Sequence, residues 1–261
     1  MDYKNRTIVT EFTLAGLTEN SELKLALFVL FFIIYSLTLL QNSVLIVLIS
    51  WDGQLYSPMY VFLRQLSFID ICYSSSVTIR MLVDFVSDKS SISVAGCFLN
   101  GFVQTGFSFF HLDFCENPQA VHHFYCDVIA LIEISCGDTR LNEMILFSIV
   151  GFIELSSLFV ILVSYLCIII AVLQIRSSKG RKKAFSTCAS HLTVVSMFYG
   201  SIMFMYLRPS SAYSPEQDKI IAVFYTVIIP FLNPLIYSLR NREVKNSARK
   251  IGMWVVHKCA M

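Results

Sequence analysis

Long apolar runs, separated by short polar connectors, form the main pattern of the chain. A helix needs about twenty apolar residues, at about 1.5 Å rise each, to cross the roughly 30 Å hydrocarbon core of a bilayer. Five runs reach this length and predict membrane spans at about residues 23–50, 58–82, 144–173, 184–206 and 220–239. The pattern therefore predicts an all-α membrane protein, with residues 1–22 before the helical bundle and residues 240–261 as a tail.

Residues 84–141 interrupt this pattern. The apolar run at 94–110 is short for a span and contains Asn100, Gln104 and Ser108. The charged residues that follow it are mostly acidic, which is typical of an exposed loop. We predict an outer loop that retains a re-entrant, interfacial or poorly packed remnant of a helix.

The last span contains a polar stripe. Thr226, Pro230, Asn233 and Tyr237 follow one another at spacings of four, three and four residues, so they share one helical face. An amide in hydrocarbon needs a hydrogen-bond partner, and a proline frees a backbone carbonyl one turn earlier. We expect this face to point toward other helices or trapped water. A kinked packing helix without a signalling role is the alternative.

Polar residues also occur inside the first two spans. Asn42 lies in the second half of the first span, with Thr38 one turn before it on the same face. Asp70 lies in the second span between Ser67 and Ser74. A carboxyl group at this depth is costly, so we expect Asp70 to meet water, an ion or polar groups of other helices. A neutral, hydrogen-bonded packing aspartate is the alternative.

Composition and charge support a membrane protein and indicate its orientation. The 261 residues are 56% hydrophobic and 15% charged, with a mean hydropathy of +0.65, which excludes an ordinary soluble domain. Lysine and arginine cluster in residues 174–183 and 240–261, which the positive-inside rule places in the cytoplasm. We prefer this interpretation to nucleic-acid binding. The N-terminus is then extracellular, where Asn5 of Asn5-Arg6-Thr7 is a glycosylation acceptor.

Candidate catalytic and metal-binding residues are few. The sequence contains no phosphate-binding loop, His-Glu-x-x-His motif or nucleophile elbow, so we expect neither an enzyme nor a cofactor. His122, His123, Cys126 and Asp127 could be interpreted as metal ligands, but a disulfide-bonded Cys126 cannot supply a thiolate, and we expect no metal. The outer side is predicted to contain four cysteines whose pairing the sequence alone leaves open. They are Cys97, Cys115, Cys126 and Cys136.

Several motifs occur in an order that resembles the odorant (olfactory) receptors, a branch of the rhodopsin-like seven-helix G-protein-coupled receptors. They are LYSPMY at 55–60, LSFID at 66–70, Ser164-Tyr165, KAFSTCASH at 183–191, FYG at 198–200 and PFLNPLIY at 230–237, followed by SLRN. The family's third helix and most of its fourth have no counterpart, and the junction falls at Cys97-Phe98. The resemblance implies a rhodopsin-like bundle truncated to about five spans, the family's helices one, two, five, six and seven, plus the remnant.

The resemblance also implies roles for individual residues. It pairs Cys97 with Cys126 and Cys115 with Cys136. It implies a mostly apolar odorant pocket, for which we select Phe147, Gly151, Leu155, Tyr199, Phe204, Tyr206, Tyr225 and Thr226. It further implies a switch and polar network that comprises Asn42, Asp70, Tyr165, His191, Asn233, Pro234 and Tyr237.

Two functions follow as hypotheses. The first is an odorant receptor in the plasma membrane, which binds small volatile ligands and couples to a heterotrimeric stimulatory G protein. The internal deletion removes a helix that contributes to the ligand pocket and to G-protein engagement, so signalling should be impaired. The alternative is a non-signalling membrane protein that is retained in the endoplasmic reticulum or associates with other receptors. A transporter or membrane enzyme is disfavoured, because the sequence has neither inverted repeats nor catalytic groups.

Overall fold

Helices make up most of the described chain. The structure is a computed structural model that describes residues 11–53, 58–87, 91–97, 114, 120–174, 176–207, 214–240, 244, 246–247 and 249–250. The helices are α1 (Ser21–Trp51), α2 (Pro58–Val86), α3 (Val128–Glu133), α4 (Arg140–Leu173), α5 (Ser178–Tyr206), α6 (Pro215–Val223) and α7 (Ile229–Arg240). A π-helical segment, Phe224–Ile228, joins α6 to α7. The described residues also form three short strands: β1 (Glu11–Leu14), β2 (Ser91–Ser93) and β3 (Ala120–Val121).

The helix starts have local causes in the sequence. Asn20 caps α1, because its Oδ1 accepts hydrogen bonds from the backbone N–H groups of Glu22 (3.0 Å) and Leu23 (3.3 Å). Ser177 caps α5 in the same way, since its Oγ accepts from the Gly180 N–H at 3.3 Å. Pro215 begins α6, a position where the missing N–H costs nothing.

Four helical segments within the described residues are long and apolar enough to cross a membrane. They are Ser21–Trp51, Leu63–Val86, Arg140–Leu173 and Pro215–Tyr237. Helix α5 differs, because its apolar part is only the shorter stretch Leu192–Tyr206. Its first turns contain the lysines and arginines of the basic connector, which lower the hydropathy of that half.

The chain divides into two compact units. The first unit contains the described residues of Met1–Ile33, Ser75–Ile153 and Ile202–Val223. The second contains those of Ile34–Ser74, Glu154–Ser201 and Phe224–Met261.

A small sheet organises the first unit, in the order β2-β1-β3. Strand β1 pairs with β2 in antiparallel fashion and with β3 in parallel fashion. Its residues alternate, so that Phe12 and Leu14 are buried while Glu11 and Thr13 are exposed. The buried side chains join an apolar core with Leu131 of α3 and the Cys97–Cys126 disulfide. The hydrophobic pattern of the sequence did not predict these strands, which are an addition to the helical fold.

The second unit has its own apolar core, formed by α1, α2, α5, α7 and the tail. Its buried members are Leu45, Leu48, Ile49, Tyr60, Leu63, Val194, Tyr237 and Val244. Outside this core, an ion pair joins the end of α1 to the tail, with Lys250 Nζ at 3.6 Å from Asp52 Oδ2. The predicted remnant at 94–110 lies mostly outside the described residues.

Candidate functional site

A buried carboxylate and a buried amide meet in the second unit. The Asn233 Nδ2 of α7 lies 2.9 Å from Asp70 Oδ2 and 3.2 Å from Asp70 Oδ1 of α2. Both residues are buried, with 6% of Asp70 and 3% of Asn233 exposed. Asp70 and Asn233 therefore satisfy each other's need for a hydrogen-bond partner in a buried site. This agrees with the prediction that the polar face of the last span points toward other helices.

A second contact in this unit joins α1 to α7. Asn42 Nδ2 donates a hydrogen bond to the Pro230 carbonyl at 3.2 Å and another to the Thr38 carbonyl at 2.9 Å. In a regular helix the Pro230 carbonyl would accept from the N–H of residue 234, but Pro234 has none. The Asn42 amide thus satisfies a carbonyl that a proline leaves without its helical donor.

The helix that contains these prolines widens before them. Residues Phe224–Ile228 form a π-helical turn, and within it Tyr225, Thr226 and Val227 are buried. The Tyr225 ring lies 6.5 Å from that of Tyr73 in α2, centroid to centroid. π-Helical turns are frequent at functional sites, and here one separates α6 from the proline-containing α7.

The remaining predicted switch residues are only partly connected to this network. The Tyr165 hydroxyl of α4 lies 3.5 Å from the Cys188 carbonyl of α5, at the limit of a hydrogen bond. Tyr237 is buried in the apolar core of the second unit. The side chain of His191 lies outside the described residues.

The predicted pocket residues do not share one environment. Phe147, Leu155 and Phe204 are 56%, 65% and 53% exposed. Gly151 and Tyr199 are half-buried, whereas Tyr225 and Thr226 are fully buried. Phe147, Leu155 and Phe204 therefore lie on exposed parts of helices α4 and α5.

Tyr206 belongs instead to a buried cluster in the first unit. Its hydroxyl donates to Asp127 Oδ2 at 2.9 Å, and the Tyr125 hydroxyl donates to the same oxygen at 2.7 Å. The other carboxylate oxygen caps α3 by accepting from the Ile129 N–H at 2.9 Å. Asp127 thus holds the end of α5 and the start of α3 together within this unit.

In the sequence, Asp127 was predicted only as a possible metal ligand, and its structural role was missed. An aspartate directly before the apolar residues 128–132 has the form of a helix N-cap, and that signal was available. Nothing in the sequence indicated the contact with Tyr206, which is 79 residues away.

His123 lies beside this cluster and is 2% exposed. Burial lowers the pKa of its imidazole to about 4, although Asp127 raises it in part and Lys219 lowers it further. Its Nδ1 accepts from the Tyr125 N–H at 3.4 Å, as a neutral ring can. The described residues contain no group of three His, Cys, Asp or Glu side chains that could hold a metal ion.

Cys97 and Cys126 form a disulfide in the first unit, with their Cα atoms 5.4 Å apart. This is the pair that the family resemblance implied. Cys136 is also disulfide-bonded. Its implied partner Cys115 and the glycosylation acceptor Asn5 lie outside the described residues.

Comparison with known proteins identifies the relatives of this chain. A family model described as Olfactory receptor matches residues 31–112 and 104–254. Olfactory receptor 5AP2 of Mus musculus is 43% identical, with 95% of this chain and 95% of the relative covered. Olfactory receptor 5M10 of Homo sapiens is 45% identical, with 92% of this chain and 93% of the relative covered.

The same comparisons indicate that an internal segment is missing. The alignment with the mouse relative extends over 303 positions, more than the 261 residues of this chain. Because nearly all of both chains is covered, the extra positions of the relative lie inside the alignment. The two matched pieces meet at residues 104–112, close to the predicted junction at Cys97-Phe98.

Proposed function

Because the chain belongs to the olfactory receptor family and is a multi-pass membrane protein, we propose that it is an odorant receptor. It binds small volatile ligands and couples to a stimulatory G protein. The family consists of receptors and not of enzymes, so no catalytic step is part of this function. Of the selected residues, Tyr199, Tyr225 and Thr226 lie in the second unit and are half-buried or buried, and they offer the odorant aromatic surface with few polar groups.

The observation that carries this proposal is the polar network of the second unit. Asn42 bonds to the Pro230 carbonyl, and Asp70 bonds to Asn233. These contacts join α7 to α1 and to α2, which supports a role for these three helices in a receptor switch. Activation is a population shift in which an odorant favours a conformation where these helices are repacked for a G protein.

The proposed topology follows from the charges. The N-terminus is extracellular, Asn5 is glycosylated, and the basic connector and tail are cytoplasmic. The chain crosses the plasma membrane five times, at the predicted spans. The segment 84–141 remains on the outer side.

We also propose that signalling is impaired. The relatives contain an internal segment that this chain lacks, and by resemblance this segment comprises the third helix and most of the fourth. By resemblance, this segment contributes to the ligand pocket and to G-protein engagement, so its loss lowers the response, although the hydrogen bonds among α1, α2 and α7 remain.

The exposed surface of α4 favours a second function. Helix α4 is 34 residues long, but only 11% of its most apolar stretch is buried. Such a face is covered either by lipid or by helices of another protein. In this alternative the chain is retained in the endoplasmic reticulum or associates with full-length receptors, and it does not signal.

Odorant-dependent cAMP accumulation tests the first function. Cells that express the tagged chain are exposed to a panel of odorants, beside cells that express the Asn233→Ala variant and untransfected cells. We expect a weak response from the native chain that Asn233→Ala abolishes. No response from a chain that is detected at the cell surface would refute receptor function, and co-purification with a full-length receptor would then support the alternative.

A further inference from the structure

Glu154 is a buried acidic residue in the apolar middle of α4. It is the only charged residue between Met144 and Leu173, and 7% of it is exposed. Among the described side chains of α4, only Glu154 and Val172 are buried. The Glu154 Oε2 atom is enclosed and has no hydrogen-bond partner in the described part of the chain. An ionisable group at this depth is costly, so an unpartnered one marks a functional position.

The cations of the chain do not compensate this carboxyl group. Four apolar stretches contain no lysine or arginine, namely residues 25–51, 144–173, 184–207 and 220–239. The cations within the other described helical turns are paired or exposed: Arg80 lies 3.1 Å from Asp84, Lys219 lies 3.3 Å from Glu216, and Arg64 is exposed. The charge of Glu154 is therefore left for a cation from outside the chain.

Glu154 lies on the inward face of α4. The members of this face in the second unit follow at spacings of four, three and four residues. They are Glu154, Leu158, Ile161 and Tyr165, all buried or half-buried. Leu155 lies off this face and is 65% exposed. The inward position of this turn is thus occupied by Glu154 and not by the selected Leu155.

Aromatic side chains of α5 lie at the level of Glu154. Helix α5 runs antiparallel to α4, since only residues 174–177 join them, and the Tyr165 hydroxyl lies 3.5 Å from the Cys188 carbonyl. Glu154 is eleven residues before Tyr165, and Tyr199 is eleven residues after Cys188, so the two positions correspond.

This level of the second unit also offers apolar surface. The Tyr199 ring packs edge to face against Phe198, with 5.7 Å between the ring centroids. Phe198, Tyr199 and Leu158 are only half-buried, so the described residues do not close this level. A ligand can therefore lie on the two rings beside the carboxyl group.

We propose that Glu154 is a specificity-determining residue of the odorant pocket and selects odorants that carry a basic amine. The ammonium group of the odorant pairs with the Glu154 carboxylate, and its apolar body lies on Phe198 and Tyr199. The pair forms because the chain offers this carboxylate no cation of its own. This inference deepens the proposed function and rests on it.

Direct binding to the full chain in lipid nanodiscs tests this selectivity. The probes are cyclohexylamine and its neutral analogue cyclohexanol, and saturation-transfer NMR follows their titration. We expect the amine to bind about tenfold more tightly than the alcohol, as one buried charged contact allows. Equal affinities, or no saturable binding of the amine, would overturn the inference.

Substitutions in α4 assign the preference to one carboxylate. Glu154→Gln keeps the size of the side chain and removes its charge, so we expect about tenfold weaker binding of cyclohexylamine and unchanged binding of cyclohexanol. Glu154→Asp keeps the charge and should retain most of the preference. Glu143→Gln is the matched control, because Glu143 is a half-buried carboxylate three turns earlier in the same helix, and both affinities should stay unchanged. Native amine affinity in Glu154→Gln, or an equal loss of both ligands, would refute the assignment.

The cAMP assay separates this inference from the proposed function. A chain that prefers the amine in nanodiscs but gives no cAMP response at the cell surface would retain the amine site and lose receptor function. A chain that responds to neutral odorants but binds the two probes equally would retain receptor function and lose the amine site.

Discussion

The side-chain amide of Asn42 donates to the backbone carbonyl of Pro230 across 3.2 Å, and both residues are buried. The carbonyl needs this donor because Pro234, one turn later, has no N–H to offer. Pro234 leaves this carbonyl without its helical donor, and Asn42 supplies a side-chain donor in its place. The donor and the acceptor of this hydrogen bond are 188 residues apart in the sequence.

Removal of this donor should destabilise the second unit. We expect Asn42→Ala to lower the free energy of unfolding by about 1–3 kcal/mol, because it leaves a buried carbonyl unsatisfied. Ser43→Ala is the control, since Ser43 is the exposed next residue of the same helix. Thermal unfolding of the purified chain in nanodiscs measures both, and equal midpoints for the two variants would contradict this role of Asn42.

Replacement of the proline should reduce the contribution of Asn42 to stability. Pro234→Ala returns an N–H to position 234, which can then donate to the Pro230 carbonyl within the helix. In a double-mutant cycle we expect Asn42→Ala to cost about 1 kcal/mol less in the Pro234→Ala background. Additive effects of the two substitutions would mean that the two residues do not act on the same carbonyl.

The Asp127 cluster should stabilise the first unit. Tyr206→Phe removes one of the two hydroxyl donors to Asp127 Oδ2 and leaves the ring in place. We expect the free energy of unfolding to fall by about 1.5–3 kcal/mol, as is usual for a hydrogen bond to a charged group. Limited proteolysis of the outer segment measures this loss. Tyr199→Phe is the matched control, because Tyr199 is a half-buried tyrosine of the same helix. If the protease cleaves both variants equally slowly, the Tyr206 hydroxyl does not stabilise the first unit.

His123 should make stability fall at acidic pH. Its pKa is lowered to about 4 in the folded chain by burial, against about 6.5 in an unfolded chain. Below pH 6.5 the unfolded chain therefore takes up a proton that the folded chain does not, and the lost stability grows until about pH 4. Between pH 7 and pH 5 we expect His123 to contribute a loss of about 2 kcal/mol.

Thermal midpoints at the two pH values measure this effect. Glutamine cannot titrate, so His123→Gln should show a smaller decrease between pH 7 and pH 5 than the unmodified chain. His122→Gln is the control, because His122 is the exposed neighbour and should leave the decrease unchanged. If His123→Gln loses as much stability as the unmodified chain, another group is responsible.

Periodicity in the sequence was sufficient to find one face of the site. The spacing of Pro230, Asn233 and Tyr237 placed polar groups on a single helical face, and the structure brings that face against Asn42 and Asp70. The cost of polar groups in hydrocarbon explains this success, because few arrangements satisfy an amide and a carboxyl group in a bundle. The fold class and the family are confirmed by the helical structure and by the match to the olfactory receptor family.

Other parts of the molecule could not be predicted from local patterns. Strand β1 has only four residues, and it exists because it pairs with strands about 80 and 107 residues later in the sequence. The bond between Asp127 and Tyr206 likewise depends on long-range packing. The exposure of Phe147 and Phe204 could not be predicted either, since the pocket was placed from a resemblance to receptors that contain an additional segment.

The effect of the missing segment on signalling is the most direct test of the proposed function. In a chimera, the additional internal segment of the mouse 5AP2 relative is inserted between Cys97 and Phe98. The cAMP response of this chimera to odorants is compared with that of the native chain. Surface labelling is used to match the two expression levels. We predict that the chimera reaches a maximal response several times that of the native chain. Equal responses at equal surface density would contradict the claim that the deletion impairs an odorant receptor.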